Sequence, residues 1–159
     1  MDSSSPVREI MTTTVATFGP DDTVEHALRT LVDGEVDAAP VVGGDGAVVG
    51  VLSSADLVVK EARLHLPRFI SVLGASFELG KREFDGELEK ALGSRVAQLM
   101  SAPAVTCRPD DTIEQAATLL HDRHLSRLPV VDDSGVLVGI VSRHDILRAI
   151  LEGGSAAGN

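Results

Sequence analysis

The chain repeats itself. Sliding residues 7–59 onto 96–148, a shift of 89 without a gap, makes 19 of 53 positions identical, against roughly three or four for unrelated segments of ordinary composition. The shared positions include PDDT (20–23 and 109–112), PVV (40–42 and 129–131), Gly46 and Gly135, Gly50 and Gly139, Ser53 and Ser142, and Asp56 and Asp145. At 159 residues in all, the chain accommodates two very small units that pack together.

Each copy reads in the same order. Val7, Ile10 and Met11, and in the second copy Val96, Leu99 and Met100, stand at i, i+3, i+4, which predicts a brief opening helix. PDDT supplies a turn and a helix cap. Val24, Ala27, Leu28 and Leu31, matched by Ile113, Ala116, Ala117 and Leu120, predict an amphipathic helix with one buried face. AAPVV and RLPVV read as short strands with Pro near the entry. GGDG and DDSG read as hairpin turns, and AVVGVL and VLVGIV as second strands. SSADLVVKEA and SRHDILRAIL close the units as helices. The unit is therefore β-α-β-β-α after its leading turn, an α/β (α+β) fold made twice over, with repeats at 6–62 and 94–152.

The segment 63–93 has no counterpart. Leu66, Phe69, Ile70 and Leu73 suit a short helix near Pro67, GASFELGKREFDG reads as a loop, and ELEKALG as a short helix ending at Gly93. The first five residues and the tail 153–159 are expected to be disordered.

Composition narrows the function. Fourteen basic against 24 acidic residues leave a net charge of −10, which disfavours nucleic acid and anionic membrane surfaces as partners. The start MDSSSPVREI lacks the apolar stretch of a signal peptide, and no apolar run approaches membrane-spanning length. The single Cys107 permits no internal disulfide and fits a reducing compartment. A cytoplasmic protein is expected.

The chemistry lies where the second strand of each copy runs into the closing helix, GVLSSADL at 50–57 and GIVSRHDI at 139–146. A helix N-terminus presents unpaired N–H groups and a partial positive charge, which suit phosphate. Ser53 or Ser142 can donate to a phosphate oxygen. Asp56 or Asp145, one turn on, can accept from a ribose diol. The preceding glycine leaves room for close approach. The same Ser-x-x-Asp spacing also makes a capping box that needs no ligand. Repeat two carries Arg143 and His144 where repeat one has Ser54 and Ala55, and Arg127 where repeat one has Ala38. An Arg fork clamps phosphate well.

The gapless duplication, the apolar-Pro-Val-Val strands and the Gly-apolar-apolar-Ser-x-x-Asp junctions together resemble a tandem pair of CBS domains. This is the cystathionine-β-synthase type of regulatory repeat, and the pair is often called a Bateman module. The resemblance covers about 115 of the 159 residues. It implies two repeats packed with pseudo-twofold symmetry around two clefts, each pairing the junction of one repeat with the adenine-facing strand of the other. The main cleft would be lined by Thr13, Val36, Asp37, Ala38, Ile140, Ser142, Arg143, His144 and Asp145. The second would be lined by Val51, Ser53, Asp56, Ala102, Leu125, Ser126 and Arg127, and Arg127 could serve either. Asp37 would repel a phosphate but could accept from an adenine amino group. The effectors implied are AMP, ADP, ATP or S-adenosylmethionine, with no required cofactor. The implied assembly is a homodimeric disc acting on an unknown regulated protein. A ligand-free dimerisation scaffold is the alternative.

Other signals are weaker. His121 and His124 lie three apart but no third metal ligand is evident. GGDG lacks the GK[ST] of a P-loop. Cys107 has no evident His or Asp partner and reads as a partly buried small residue. No nucleophile–base pair or metal set emerges, so an enzyme is not expected.

Overall fold

The computed structural model of the chain describes residues 2–57 and 93–156. The expected helices and loop of 63–93 fall almost wholly outside the described residues. A 3₁₀ turn spans Val7–Glu9, followed by α1 (Val24–Asp33), β1 (Ala38–Val42) and β2 (Val48–Ser53). A helix α2 is described over 54–57. The second unit runs α3 (Val96–Leu99), α4 (Ile113–Asp122), β3 (Arg127–Val131), β4 (Leu137–Ser142) and α5 (Arg143–Ala156). No helix among the described residues is long and apolar enough to cross a membrane.

The PDDT segments cap their helices as their sequence predicts. Thr23 Oγ1 accepts from His26 N at 3.2 Å and Thr112 Oγ1 from Gln115 N at 3.1 Å. Gln115 Oε1 in turn accepts from Thr112 N at 2.8 Å, completing a capping box. Val24, Ala27 and Leu31 are buried from α1, and Ile113, Ala116 and Leu120 from α4, while Leu28 stays 38% exposed.

Each unit holds one antiparallel hairpin, β1 with β2 and β3 with β4. Their registers correspond: Ala38 faces Ser53 and Val41 faces Gly50, while Arg127 faces Ser142 and Val130 faces Gly139. Gly46 (φ 84°) and Gly135 (φ 79°) make the tight turns in a backbone region that favours glycine. The leading strand of each unit is a single bridging residue. Phe18 N donates to Pro40 O and Phe18 O accepts from Val42 N, and Cys107 repeats this with Pro129 and Val131.

The opening turns are exchanged between the units. Val7 N and Arg8 N donate to Asp111 O and Pro109 O, while Val96 N and Ala97 N donate to Asp22 O and Pro20 O. PDDT therefore caps its own helix with side chains and receives the other repeat's opening turn on its carbonyls. Val7 is fully buried among Cys107, Ile113, Leu120, Leu128, Val141 and Ile146. Val96 is fully buried among Phe18, Ala27, Leu31, Val41 and Leu52. The hairpin tips also join: Val48 N donates to Gly135 O and Leu137 N to Gly46 O.

Two terminal expectations change. Ser5 O and Ser3 O accept from Ile113 N and Glu114 N, so residues expected to be disordered satisfy free donors of the first turn of α4. At the other end α5 runs to Ala156, four residues into the segment expected to be a disordered tail.

Candidate functional site

The strand-to-helix junctions are built identically on their inner side. Asp145 Oδ2 accepts from Ser142 N at 2.8 Å and from Ser142 Oγ at 2.7 Å, and Ser142 Oγ accepts from Asp145 N at 3.2 Å. Asp56 does the same with Ser53 at 2.9, 3.0 and 3.2 Å. Both junctions are thus closed capping boxes, and each serine hydroxyl is engaged with its own aspartate.

The outer carboxylate oxygens differ. Asp56 Oδ1 accepts from Ser101 Oγ at 2.8 Å, a bond between the repeats. Asp145 Oδ1 has no hydrogen-bond partner among the described residues. Asp145 is only half-buried. An acceptor already oriented by its own serine and otherwise free suits a hydroxyl-bearing ligand.

The opening segments reach these junctions by the exchange. Thr12 and Ile140 trade backbone bonds at 2.9 Å each, and Val51 and Ser101 trade theirs at 3.0 and 2.9 Å. The exposed Thr13 therefore follows directly on the partner of Ile140, and the exposed Ala102 on the partner of Val51. Ile140 and Ala38 are buried; Val36, Val51, Leu125, Ser126 and Arg127 are half-buried.

The segments before β1 and β3 bond to junctions of their own repeats. Ser54 N donates to Asp37 O at 2.8 Å, and Arg143 N to Ser126 O at 3.1 Å. Arg143 Nε also donates to Leu125 O at 2.7 Å. No hydrogen bond among the described residues joins Val36, Asp37 or Ala38 to Ser142 or Asp145. Arg143 and His144 are exposed beside the main junction. Arg127 faces Ser142 across the hairpin, so the two side chains share one sheet face, and its Nε is buried without a partner among the described residues.

The junction glycines have a different role from the one their position suggested. A Cβ on Gly139 would lie 2.7 Å from Met11 Sδ and 3.0 Å from Thr12 O. On Gly50 it would meet Met100 Sδ at 2.7 Å and Ser101 O at 2.9 Å. The space is taken by the other repeat's opening segment, not reserved for a ligand. Sequence reading also missed Ser101. Its one signal was its match, at the shift of 89, to Thr12 just after Met11.

Cys107 is 2% exposed. Burial first, and the nearby Asp111 carboxylate second, push its thiol up to about 12, which makes it inert rather than nucleophilic. His124 sits beyond the end of α4 with φ 53°. Among the described residues no cluster of three or more His, Cys, Asp or Glu could hold a metal ion.

Two α+β units that exchange their opening turns and present two equivalent strand-to-helix junctions define a tandem-repeat module. The CBS domain family matches residues 7–62 and 96–152, and the chain belongs to that family. It is 30% identical over 153 residues to the uncharacterized protein MJ1426 of Methanocaldococcus jannaschii, covering 91% of this chain and 90% of that one. It is 32% identical over 137 residues to the chloroplastic CBS domain-containing protein CBSX2 of Arabidopsis thaliana, covering 84% of this chain but only 57% of CBSX2. The crystal structure of CBSX2 in complex with AMP superposes with a TM-score of 0.71 at 30% identity, over 92% of this chain and 96% of that one. The CBS domain pair of MJ0100, at 21% identity, a TM-score of 0.67 and coverage of 95% and 98%, shares the fold.

Proposed function

We propose that this chain is a regulatory, non-catalytic module that binds an adenine nucleotide or related adenosyl ligand, with Asp145 at the centre of its main cleft. One observation carries the reading. The Asp145 carboxylate is held by Ser142 through one oxygen and leaves the other without a partner among the described residues, at the N-terminus of the long helix α5. A ribose diol fits the free oxygen, and phosphate fits the helix N-terminus with Arg143, His144 and Arg127 close by. The complex of CBSX2 with AMP supports AMP as the first ligand to try, with ADP, ATP and S-adenosylmethionine beside it. Val36, Asp37 and Ala38, expected in this cleft, stand instead beside Ser53 and Ser54 of their own repeat. Leu125, Ser126 and Arg127, beside Ser142 and Arg143, take the adenine side of the main cleft in this reading, with Thr13 and Ile140 at its entry. By the same neighbourhood, Val51, Ser53, Asp56 and Ala102 form the second cleft with Val36, Asp37 and Ala38, and not with Leu125, Ser126 and Arg127.

In this reading the module is a cytoplasmic homodimer whose ligand shifts its own assembly or a regulated partner, by binding one arrangement better than another. Nucleic acid and membrane are not partners. Isothermal titration with AMP, ADP, ATP and S-adenosylmethionine tests it. Heat is expected from at least one, and its loss in Asp145→Ala. No heat from any of the four at millimolar concentration overturns the reading.

A specific observation favours a second reading. In both Ser-x-x-Asp boxes the serine hydroxyl donates to its own aspartate, which suits a purely structural helix cap in a dimerisation scaffold. The scaffold predicts that Asp145→Ala costs about 1 kcal/mol of stability and changes no ligand response.

A further inference from the structure

The two clefts are unequal for a reason that lies in one hydroxyl. Backbone pairing around them is symmetric: Thr12 pairs with Ile140 as Ser101 pairs with Val51. The side chains break that symmetry. Ser101 Oγ donates to Asp56 Oδ1 at 2.8 Å, while Thr12, its counterpart, makes no such bond to Asp145. Serine swings freely between rotamers, whereas the β-branch of threonine restricts χ1.

We propose that Ser101 is an internal latch that fills the ligand-hydroxyl position of the Asp56 cleft, so that the chain binds one nucleoside-type ligand at Asp145 and holds the other cleft closed to diols. The proposal rests on the reading above, that these carboxylates receive ligand hydroxyls. Asp56 Oδ2 already takes two bonds from Ser53, so Oδ1 is the acceptor a diol would use. A ligand entering there must first displace Ser101, and gains only the difference between its own bond and the latch. At Asp145 no described residue holds Oδ1 and would have to be displaced. Ser101 is therefore a selectivity residue, and its bond also ties the opening segment of repeat two to the junction of repeat one.

The experiment counts sites with AMP as probe. The full chain is titrated as wild type, Ser101→Ala, Asp145→Ala and Asp145→Ala with Ser101→Ala, with circular dichroism confirming the fold of each. Wild type is expected to bind one AMP per chain. Ser101→Ala is expected to bind a second, and the double variant to keep that site alone, at least roughly five- to ten-fold tighter than any residual binding by Asp145→Ala. Adding Asp56→Ala must abolish the gained site. The reverse change, Thr12→Ser, is expected to weaken AMP at Asp145 by a similar factor. If wild type binds AMP at Asp145 and Ser101→Ala neither adds a site nor tightens one, the latch is wrong and the sensor reading survives. If no variant binds AMP, both fall together.

Discussion

Gly139 and Met11 lie so close that a methyl group on the glycine would stand 2.7 Å from the methionine sulfur. The contact joins the second strand of one repeat to the opening turn of the other, and Gly50 with Met100 repeats it. The methionine can move aside, but Thr12 O at 3.0 Å is backbone held by Ile140. Gly139→Ala is expected to destabilise the chain by about 1–3 kcal/mol, measured by urea unfolding. Gly44, where an added Cβ meets nothing within 4 Å, is the control, and Gly44→Ala is expected to be neutral or slightly stabilising.

The exchange predicts that damage to one repeat's opening turn is felt in the other. Val7 is fully buried against α4, β3, β4 and α5. Val7→Ala is expected to cost about 2 kcal/mol. Native-state hydrogen exchange should show lost protection in Ile113–Asp122 and β3 before α1. Val96→Ala should give the opposite pattern. Equal loss in both repeats, or loss confined to the repeat that carries the substitution, contradicts the exchange.

Sequence reading reached the local structure because local physics determines it. The period of Val24, Ala27 and Leu31, the Thr caps and the glycine turns at Gly46 and Gly135 each act within a few residues. The exchange was hidden because its bonds end on backbone carbonyls of Pro20, Asp22, Pro109 and Asp111, and a carbonyl carries no residue signature. The leading strands were blurred for a similar reason, since one bridging residue such as Phe18 or Cys107 shows no alternation. At the site, Ser142 and Asp145 were legible from their spacing. The difference between Asp56 and Asp145 was not, because it depends on Ser101, 45 positions away from Asp56.

Arg127 yields a prediction of opposite sign in the presence and absence of ligand. Its Nε is buried with no partner among the described residues, and such an atom costs about 1–3 kcal/mol when left unpaired. Arg127→Met, which keeps the stem and removes the donor, is expected to be as stable as wild type or more so without nucleotide. With millimolar AMP the wild type is expected to gain melting temperature and the variant to gain less. A variant that is clearly less stable without ligand shows that Arg127 supports the fold instead.

Cys107 should behave as a buried apolar group. A thiol reagent at pH 8 is expected to react with the folded chain far more slowly than with the chain in denaturant, because little thiolate forms below a pKa of about 12. The folded state holds this proton more tightly than the unfolded one, whose thiol titrates near the usual 9.0. Stability should therefore be unaffected by this group below pH 9 and fall as pH rises from 9 towards 12. Cys107→Ala should flatten that part of the profile. Rapid labelling of the folded chain at pH 8 refutes the assignment.

The outer faces of the helices bear on assembly. Leu147 and Ile150 on α5 are each 59% exposed, and Val32 on α1 is 65% exposed. Leu147 and Ile150 stand three apart and so share one helix face. Apolar side chains on an acidic surface are best covered by a second copy, since a copy brings the same apolar face. Leu147→Glu with Ile150→Glu places like charges across such a contact, which desolvation and repulsion oppose. Sedimentation at tens of micromolar should show a dimer for wild type and a monomer for the double variant, with helical content unchanged. A monomeric wild type leaves these residues as ordinary surface and removes the dimer from the proposed function.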